Sequence, residues 1–574
     1  MWQDHTPAET SGLARLGFTA LRLIGSGGRI DPVRLAALRA SGLPYYIENI
    51  ATDVLAPFHR YTPGKAVTWL FDAAKDRLRA EPADTSVFQR EPGLSDPASL
   101  ASIERRLERM VRAHAQDRPL FYNLADEAGI GDLAAAWDAD IGPSSLAAMR
   151  VWLRTQYPDL AALNRQWGTD FPNWDAVMPE LTDAALRRTD DNFSAWADFK
   201  AWMDIAFAQA VRTGTDAVHR ADRLGLAGLE GAQIPGWGGY DYSRLAGTVD
   251  VMEIGGAGNS VELAHAFNPN LILLRTSFGR GPEDAHAAWW HLLHGGRGTV
   301  VWDSSNTVVQ PDGGARPWGR ELTALTAAMR PVARWLRRAE PITDPVAVLY
   351  SQASFRTRWL LDRRGGDRRW WQRDAAREYE DNAWTASRRQ ILTRLASIAV
   401  QPRLLSSAML ESGALRHNAP RVLILPHAIA LSAAEVAEIA AFAQSGGLVL
   451  ADIEPGLFDQ HSRRRASPPL DGIARTPEIL QLYAGENGSG LLLATKELLI
   501  SAGIQPRADL IGAKGAVMTG VDGQWFQDEQ GLVLALQTRT AGTRAEPIIV
   551  RRPHHPDHVI TLDPIAPRMV RFER

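Results

Sequence analysis

The chain contains no cysteine. That absence excludes disulfides, thiolate zinc sites, iron–sulfur clusters and every mechanism built on a cysteine nucleophile. Neither sign of charge dominates: 63 Lys and Arg against 66 Asp and Glu leave a net charge of -3. The usual electrostatic argument for a nucleic-acid partner is therefore missing. No apolar run approaches the roughly 18 residues that a spanning helix requires, so no membrane partner is expected. The opening Met1-Trp2-Gln3-Asp4-His5 lacks the basic and apolar stretches of a signal peptide, and either a cytoplasmic or a periplasmic location fits it.

Tryptophan is what the chain has in excess, with 19 in 574 residues. Indole faces are natural platforms for flat, weakly polar ligands such as sugar rings. The length gives a prior of about three or four domains, and 45% hydrophobic residues can fill several cores.

Up to residue 340, short apolar strands alternate with amphipathic helices, the pattern of βα units and a parallel sheet. Strands are expected at Phe18–Ile24, Leu43–Ile50, Leu120–Ala125, Leu226–Glu230, Val249–Ile254, Leu271–Leu274 and Thr299–Trp302. Each is apolar throughout, as a strand covered on both faces should be. Asp31 to Ser41 and Ser99 to Gln116 read as helices. Seven visible strands and one uncertain strand point to a (β/α)8 TIM barrel over 1–340. A doubly wound sheet is weaker, because no phosphate-binding glycine fingerprint follows the first strand. Pro341 marks a boundary. Val346–Tyr350, Arg421–Leu425 and Leu448–Ala451, with a helix at Ser432–Ser445, suggest a smaller α/β domain over 341–515. Gly531–Thr538, Ala545–Arg551 and His558–Leu562 suggest a small β-sandwich over 516–574. Arg463–Arg465 reads as a solvated loop.

Active sites of such barrels lie at the C-terminal ends of the strands. The strand beginning at Leu120 closes Asn123-Leu-Ala-Asp126-Glu127-Ala-Gly129, a carboxylate pair placed where a strand enters its loop. A helix cap or a loop salt bridge is the commoner explanation of such a pair until context overturns it. That context is Leu160-Ala-Ala-Leu-Asn164-Arg-Gln-Trp167-Gly168-Thr169-Asp170-Phe171-Pro-Asn-Trp174. A Leu-Asn-x-x-Trp-Gly-Thr-x-Phe-x-x-Trp run downstream of a strand ending in Glu resembles the family 42 glycoside hydrolases, the β-galactosidase group. The resemblance implies a barrel, then an amidotransferase-like domain associated with trimer formation, then a small β domain. It also implies a glycosidic bond as the target and Glu127 as general acid/base. The missing cysteine leaves the middle domain no amidotransferase activity.

Two positions depart from the family. Asp126 stands where it has Asn, and its nucleophile strand here reads Leu271-Ile-Leu-Leu-Arg275-Thr276-Ser277, with no carboxylate. The second carboxylate is then expected from Glu253, with Glu230 in reserve, each beside glycine. A structural carboxylate is the competing explanation for both. Two carboxyl groups, one protonated and one ionised, are the chemistry glycoside hydrolysis needs.

Further substrate contacts are expected from Arg22, Glu48, Asn49, Asn123, Arg275 and Asp303 at strand ends, and from Trp237, Tyr240, Asp241 and Trp302 as the aromatic and polar lining. His291 and His294 sit on one helix without a third ligand type nearby, so neither a metal nor any other cofactor is expected. Trp289 and Trp290 pack a helix or line the pocket. Around Trp370 and Trp371, among many arginines, the resemblance implies a contact within a homo-oligomer, a trimer or dimer; an exposed helical hairpin with ordinary packing is the equal alternative. The expected partner is an oligosaccharide or glycoside substrate. The competing functions are a non-catalytic carbohydrate-binding protein on a degenerate hydrolase fold, a transglycosylase and a phosphorylase.

Overall fold

The computed structural model describes the chain except residues 26–28, 57–58, 61–67, 367–368, 418–419, 482–488, 513–514, 544–546 and 574. Seven strands form one sheet in sequential order: β1 (Leu21–Ile24), β2 (Tyr45–Glu48), β3 (Tyr122–Asp126), β4 (Ala227–Ala232), β5 (Val251–Ile254), β6 (Ile272–Ser277) and β7 (Gly296–Val301). All pairings are parallel. The uncertain eighth strand finds no place between β2 and β3, because Ile47 pairs directly with Tyr122. At the open edge, the Trp2 amide donates to the Val301 carbonyl at 3.0 Å, so the first residues run along β7 where the curled sheet would close.

Alternation along the strands separates two faces. Leu23, Ile47, Leu124, Leu229 and Met252 point outward into the large core shared with the helices. Tyr46, Phe121 and Val251 point inward and form their own cluster with Leu226, Ile272 and Leu274. Two or four residues further along the same inner rows come Glu48, Asn123, Glu230 and Glu253. The sequence thus places an apolar floor under a polar layer.

The outer helices follow ordinary rules. The helix Pro97–His114 starts on Asp96, whose side chain accepts from Ser99 N at 2.8 Å, and buries Ile103, Leu107, Met110 and Val111 on one stripe. It packs on the 28-residue helix Ser194–Ala221. Among the described residues no helix is long and apolar enough to cross a membrane.

The second unit is a parallel sheet in the order Arg403–Ser406, Val346–Tyr350, Val422–Leu425, Leu448–Ala451, Ala474–Arg475. In the third unit, Glu340–Pro341, Val521–Asp528, Gly531–Thr538 and Arg568–Glu573 form one antiparallel sheet. Asp509–Ile511, Ile548–Arg551 and His558–Ile560 form the other. Leu510, Trp525, Leu534, Ile548, Val550 and Phe572 share one core across the two sheets. Two short strands therefore extend this unit beyond the span expected for it: Glu340–Pro341 pairs with Phe526 and Gln527, and Asp509–Ile511 pairs with Ile549–Arg551.

Candidate active site

Arg22, Glu48, Asn123, Glu230 and Glu253 are buried together inside the curled sheet. Arg22 Nη1 donates to Glu48 Oε2 at 2.7 Å, and Trp2 Nε1 donates to Glu48 Oε1 at 2.9 Å. The Arg22 guanidinium lies 3.6 Å from the Trp2 ring centroid, a cation–π contact. Asn123 Nδ2 donates to Glu230 Oε2 at 2.7 Å. Burial holds all three carboxyl groups above the ordinary glutamate range. For Glu48 it does so despite Arg22. Glu230 is pushed well above it by burial and by the charges of Glu48, Glu253 and Asp126. Glu253 is raised to about 7 by burial, which outweighs the hydrogen bond from Gly231 N at 2.8 Å.

The rim of this layer is built on left-handed backbone. Glu127 has φ +50° and Asn49 has φ +62°, conformations that cost a non-glycine residue energy and persist where surrounding contacts impose them. Glu127 N donates to the Glu230 carbonyl at 3.0 Å, and Asp126 N donates to Asn49 Oδ1 at 3.0 Å. Both carboxylates at the end of β3 are half-buried.

Gly231 is where the acids converge. Its φ is +60°, and a Cβ there would stand 2.5 Å from Asp126 Oδ1 and 2.8 Å from Glu127 Cγ. The same residue donates its amide to Glu253 Oε2. With ordinary backbone dimensions, Glu127 Cγ and Glu253 Oε2 are no more than about 8 Å apart.

The expected lining residues divide. Trp302 is 36% exposed and meets Phe278 and Trp2 edge-on, with centroids 5.5 and 6.1 Å away. Phe278 is 70% exposed, so this trio presents apolar rings to solvent at the ends of β6 and β7. Trp237 does not join it. Its ring is enclosed by Phe355 at 4.9 Å and Trp359 at 5.1 Å, both from the second unit. Tyr240 is buried and donates to the Ala128 carbonyl, while Asp241 caps a short helix by accepting from Ser243 N at 3.1 Å. Asp303 is buried and accepts from the amides of Thr307 and Val308. Arg275 pairs with Asp284 at 2.7 Å, and Ser277 donates to the same carboxylate at 2.8 Å. These contacts position loops and the helix after β6. The β6 strand itself lies where expected, so its lack of a terminal carboxylate is a property of the chain and not of a misplaced strand.

The histidines and remaining tryptophans also resolve into packing. His291 Nε2 lies 3.3 Å from the Leu273 carbonyl, and His294 stacks on Trp290 at 4.0 Å. Trp289 is buried among Leu292, Leu336 and Phe526. Trp370, expected at a subunit contact, is buried within the chain: Nε1 donates to Asp183 at 2.8 Å and the ring packs on Trp137 and Phe88. Trp371 lies half-buried, with the Arg79 guanidinium 5.8 Å from its ring.

The tryptophan–glycine–threonine run docks the second unit. Asn164 Oδ1 accepts from Thr169 Oγ1 and from Phe171 N, closing the loop. Trp167 Nε1 donates to Asp198 Oδ2 at 2.8 Å, and Asp198 Oδ1 pairs with His461 at 2.6 Å. Gln166 reaches Asp459, and Arg463 donates to the Arg165 carbonyl. The segment Arg463–Arg465 is thus a docking loop and not simply a solvated one, since Arg464 N also donates to the Asp191 carbonyl of the barrel at 3.0 Å.

Sequence reasoning missed Trp2 and Phe278. Phe278 was discoverable, because it directly follows the last residue of a barrel strand. Trp2 carries no such signal, since it precedes the first strand and reaches the site only because the sheet edge is open.

No protein-family model matches the chain, and no curated protein does. Solved structures do. A family 42 β-galactosidase from G. stearothermophilus aligns over 99% of this chain and 95% of its own, with a TM-score of 0.68 at 12% identity. A family 42 exo-carrageenase from Bacteroides ovatus aligns over 96% and 79%, with a TM-score of 0.64 at 12% identity. An α-L-fucosidase isoenzyme from Paenibacillus thiaminolyticus aligns over 96% and 90%, with a TM-score of 0.53 at 13% identity. At this identity the likeness establishes architecture: the chain has the TIM-barrel glycosidase fold, followed by an α/β unit and a C-terminal β unit.

Proposed function

We propose that the chain is a glycoside hydrolase acting on an oligosaccharide or glycoside, with Glu127 as the proton donor and Glu253 as the nucleophile or base. The observation that carries this reading is the approach of Glu127 and Glu253 to the same residue, Gly231, at the C-terminal mouth of the barrel. A glycosidic bond lying across Gly231 would have one carboxyl on its leaving oxygen and the other facing its anomeric carbon, to attack it directly in retaining hydrolysis or to activate an intervening water in inverting hydrolysis. The fold supports the position of Glu127, which closes the strand that carries the family's acid. Glu253 supplies the carboxylate that Arg275-Thr276-Ser277 does not. Glu48, Arg22 and Asn123 form the floor beneath, Asn49 orients Asp126, and Trp302 with Phe278 offers the sugar an apolar edge.

A second reading exchanges the two roles. It is favoured by burial, because a carboxyl raised to about 7 still carries its proton on about half of the molecules at neutral pH, as a donor must. Leaving groups separate the two. Under the first reading, Glu127→Ala loses far more rate on glycosides with poor leaving groups than on activated aryl glycosides, and azide restores turnover in Glu253→Ala. The exchanged reading reverses both results. Wild-type turnover by Glu127→Ala on both substrate types would end the assignment. Glycan binding with no released sugar across a broad panel would favour a binding protein instead. Self-association into a trimer or dimer belongs to the same reading, and light scattering tests it.

A further inference from the structure

Glu230 is the deepest acid of the inner layer, 2% exposed, and the catalytic reading above makes no use of it. Its two oxygens have different surroundings. Oε2 accepts from Asn123 Nδ2, and that amide is fixed in orientation because Asn123 Oδ1 accepts from Ala125 N at 3.1 Å. Oε1 is buried and receives no donor among the described residues. Yet the Glu48 carboxyl is its neighbour in the inner layer, and both Glu48 oxygens already accept, from Arg22 and from Trp2. Two ionised carboxylates do not share a dry contact, whereas a carboxylic acid and a carboxylate do. An oxygen without a donor is satisfied when it is itself the donor.

We infer that Glu230 is held as the neutral acid, its Oε1 hydroxyl donating to Glu48, and that it is a positioning residue whose lack of charge leaves Glu253 the titrating acid of the inner layer. The charged and titratable groups around it agree with this balance. Arg22 from β1 neutralises Glu48 from β2; Tyr46 lies below on β2; Asp126 on β3 and Glu253 on β5 add negative charge. An ionised Glu230 would place a second uncompensated charge against Glu253. The backbone adds a mechanical link, because the Glu230 carbonyl accepts from Glu127 N and the next residue is Gly231.

The kinetic part of this inference rests on the glycosidase reading, and the spectroscopic part does not. Infrared difference spectra of wild type against Glu230→Gln at neutral pH should show the carbonyl stretch of one protonated carboxylic acid in the wild type and its loss in the variant. If instead the difference contains only a lost carboxylate band, Glu230 is ionised and the inference is overturned, whatever the enzyme hydrolyses. On a hydrolysed glycoside, Glu230→Gln retains an N–H donor toward Glu48 and should lower kcat by no more than about tenfold, with the pH profile in place. Glu230→Leu removes that donor and should displace the profile. Loss in Glu230→Gln as deep as in Glu127→Ala overturns the positioning role and makes Glu230 a catalytic acid.

Discussion

Gly231→Ala is the sharpest perturbation of the convergence that carries the functional reading. The new methyl carbon would stand 2.5 Å from Asp126 Oδ1, 2.8 Å from Glu127 Cγ and 2.9 Å from Glu127 N, where ordinary contact begins near 3.4 Å. Asp126 can swing its carboxylate away cheaply. Glu127 cannot retreat as easily, because its amide is tied to the Glu230 carbonyl. Its Cγ must move by roughly 0.6 Å, and misplacement of this order at a reacting group costs on the order of 10- to 100-fold in rate. The left-handed backbone at φ +60° adds a steric cost of about 1–2 kcal/mol for alanine. Overpacking adds about 1–3 kcal/mol, so total destabilisation of about 2–5 kcal/mol is expected. Urea unfolding reads the stability, and kcat/KM well below the unfolding temperature reads the geometry. Gly255→Ala is the control: it lies two residues after Glu253, is exposed, and its Cβ would meet nothing within 4 Å. Wild-type kcat/KM and stability in Gly231→Ala would refute the claim that Glu127 and Glu253 flank this residue. Equal losses in both alanine variants would show that the loops, and not the convergence, are being measured.

Four further outcomes follow. If Glu253 must be ionised to act, kcat/KM of the wild type rises through pH 7, and any residual rate in Glu253→Gln lacks that limb; a falling limb assigns it the donor role. The same shift, from 4.5 to about 7, makes the folded state hold a proton the unfolded chain has lost, so this group's contribution to stability declines between those values by about 3 kcal/mol, and Glu253→Gln should flatten that decline in pH-dependent urea unfolding. Trp302→Ala should raise KM by about tenfold with little change in kcat, since its ring offers binding and no proton, and an unchanged KM would remove it from the sugar site. Trp167→Phe leaves the ring packed but withdraws a buried donor from Asp198, at a cost of about 1–3 kcal/mol by urea unfolding, without touching the polar layer of the barrel.

The strands of the barrel were legible because both of their faces are buried, which writes them as unbroken apolar runs of the right length. The inner acids were legible for a related reason: a glutamate ending such a run has few places to go except the mouth of the barrel. What could not be read depended on distant segments. Trp237 and Trp302 look alike in sequence, each near a strand end, yet Phe355 and Trp359 enclose the first and solvent reaches the second. Asp509–Ile511 is three residues long, and its partner strand begins beyond residue 547; nothing local announces that pairing. Asp241 and Asp303, expected as ligand contacts, each precede a Ser or Thr by a short interval. Their side chains close local turns, which is the commoner fate of aspartate in that setting.

The Trp-Gly-Thr run separates architecture from chemistry in this chain. It brought the family resemblance, and in the structure its residues close a loop and bind the segment around Asp459 and His461. None of those contacts reaches Glu127 or Glu253. The run therefore reports how the barrel and the second unit are held together, which is also what an alignment across nearly the whole chain at 12% identity measures. At the positions where the resemblance places the reacting groups the chain differs, with Asp126 for asparagine and Arg275-Thr276-Ser277 where a carboxylate was expected. A fold can be retained by docking contacts while the reacting groups are replaced. Glu253 beside Gly231 is then the feature on which hydrolysis stands or falls, and a chain carrying Glu253→Gln with its docking contacts intact should keep this architecture and lose the reaction.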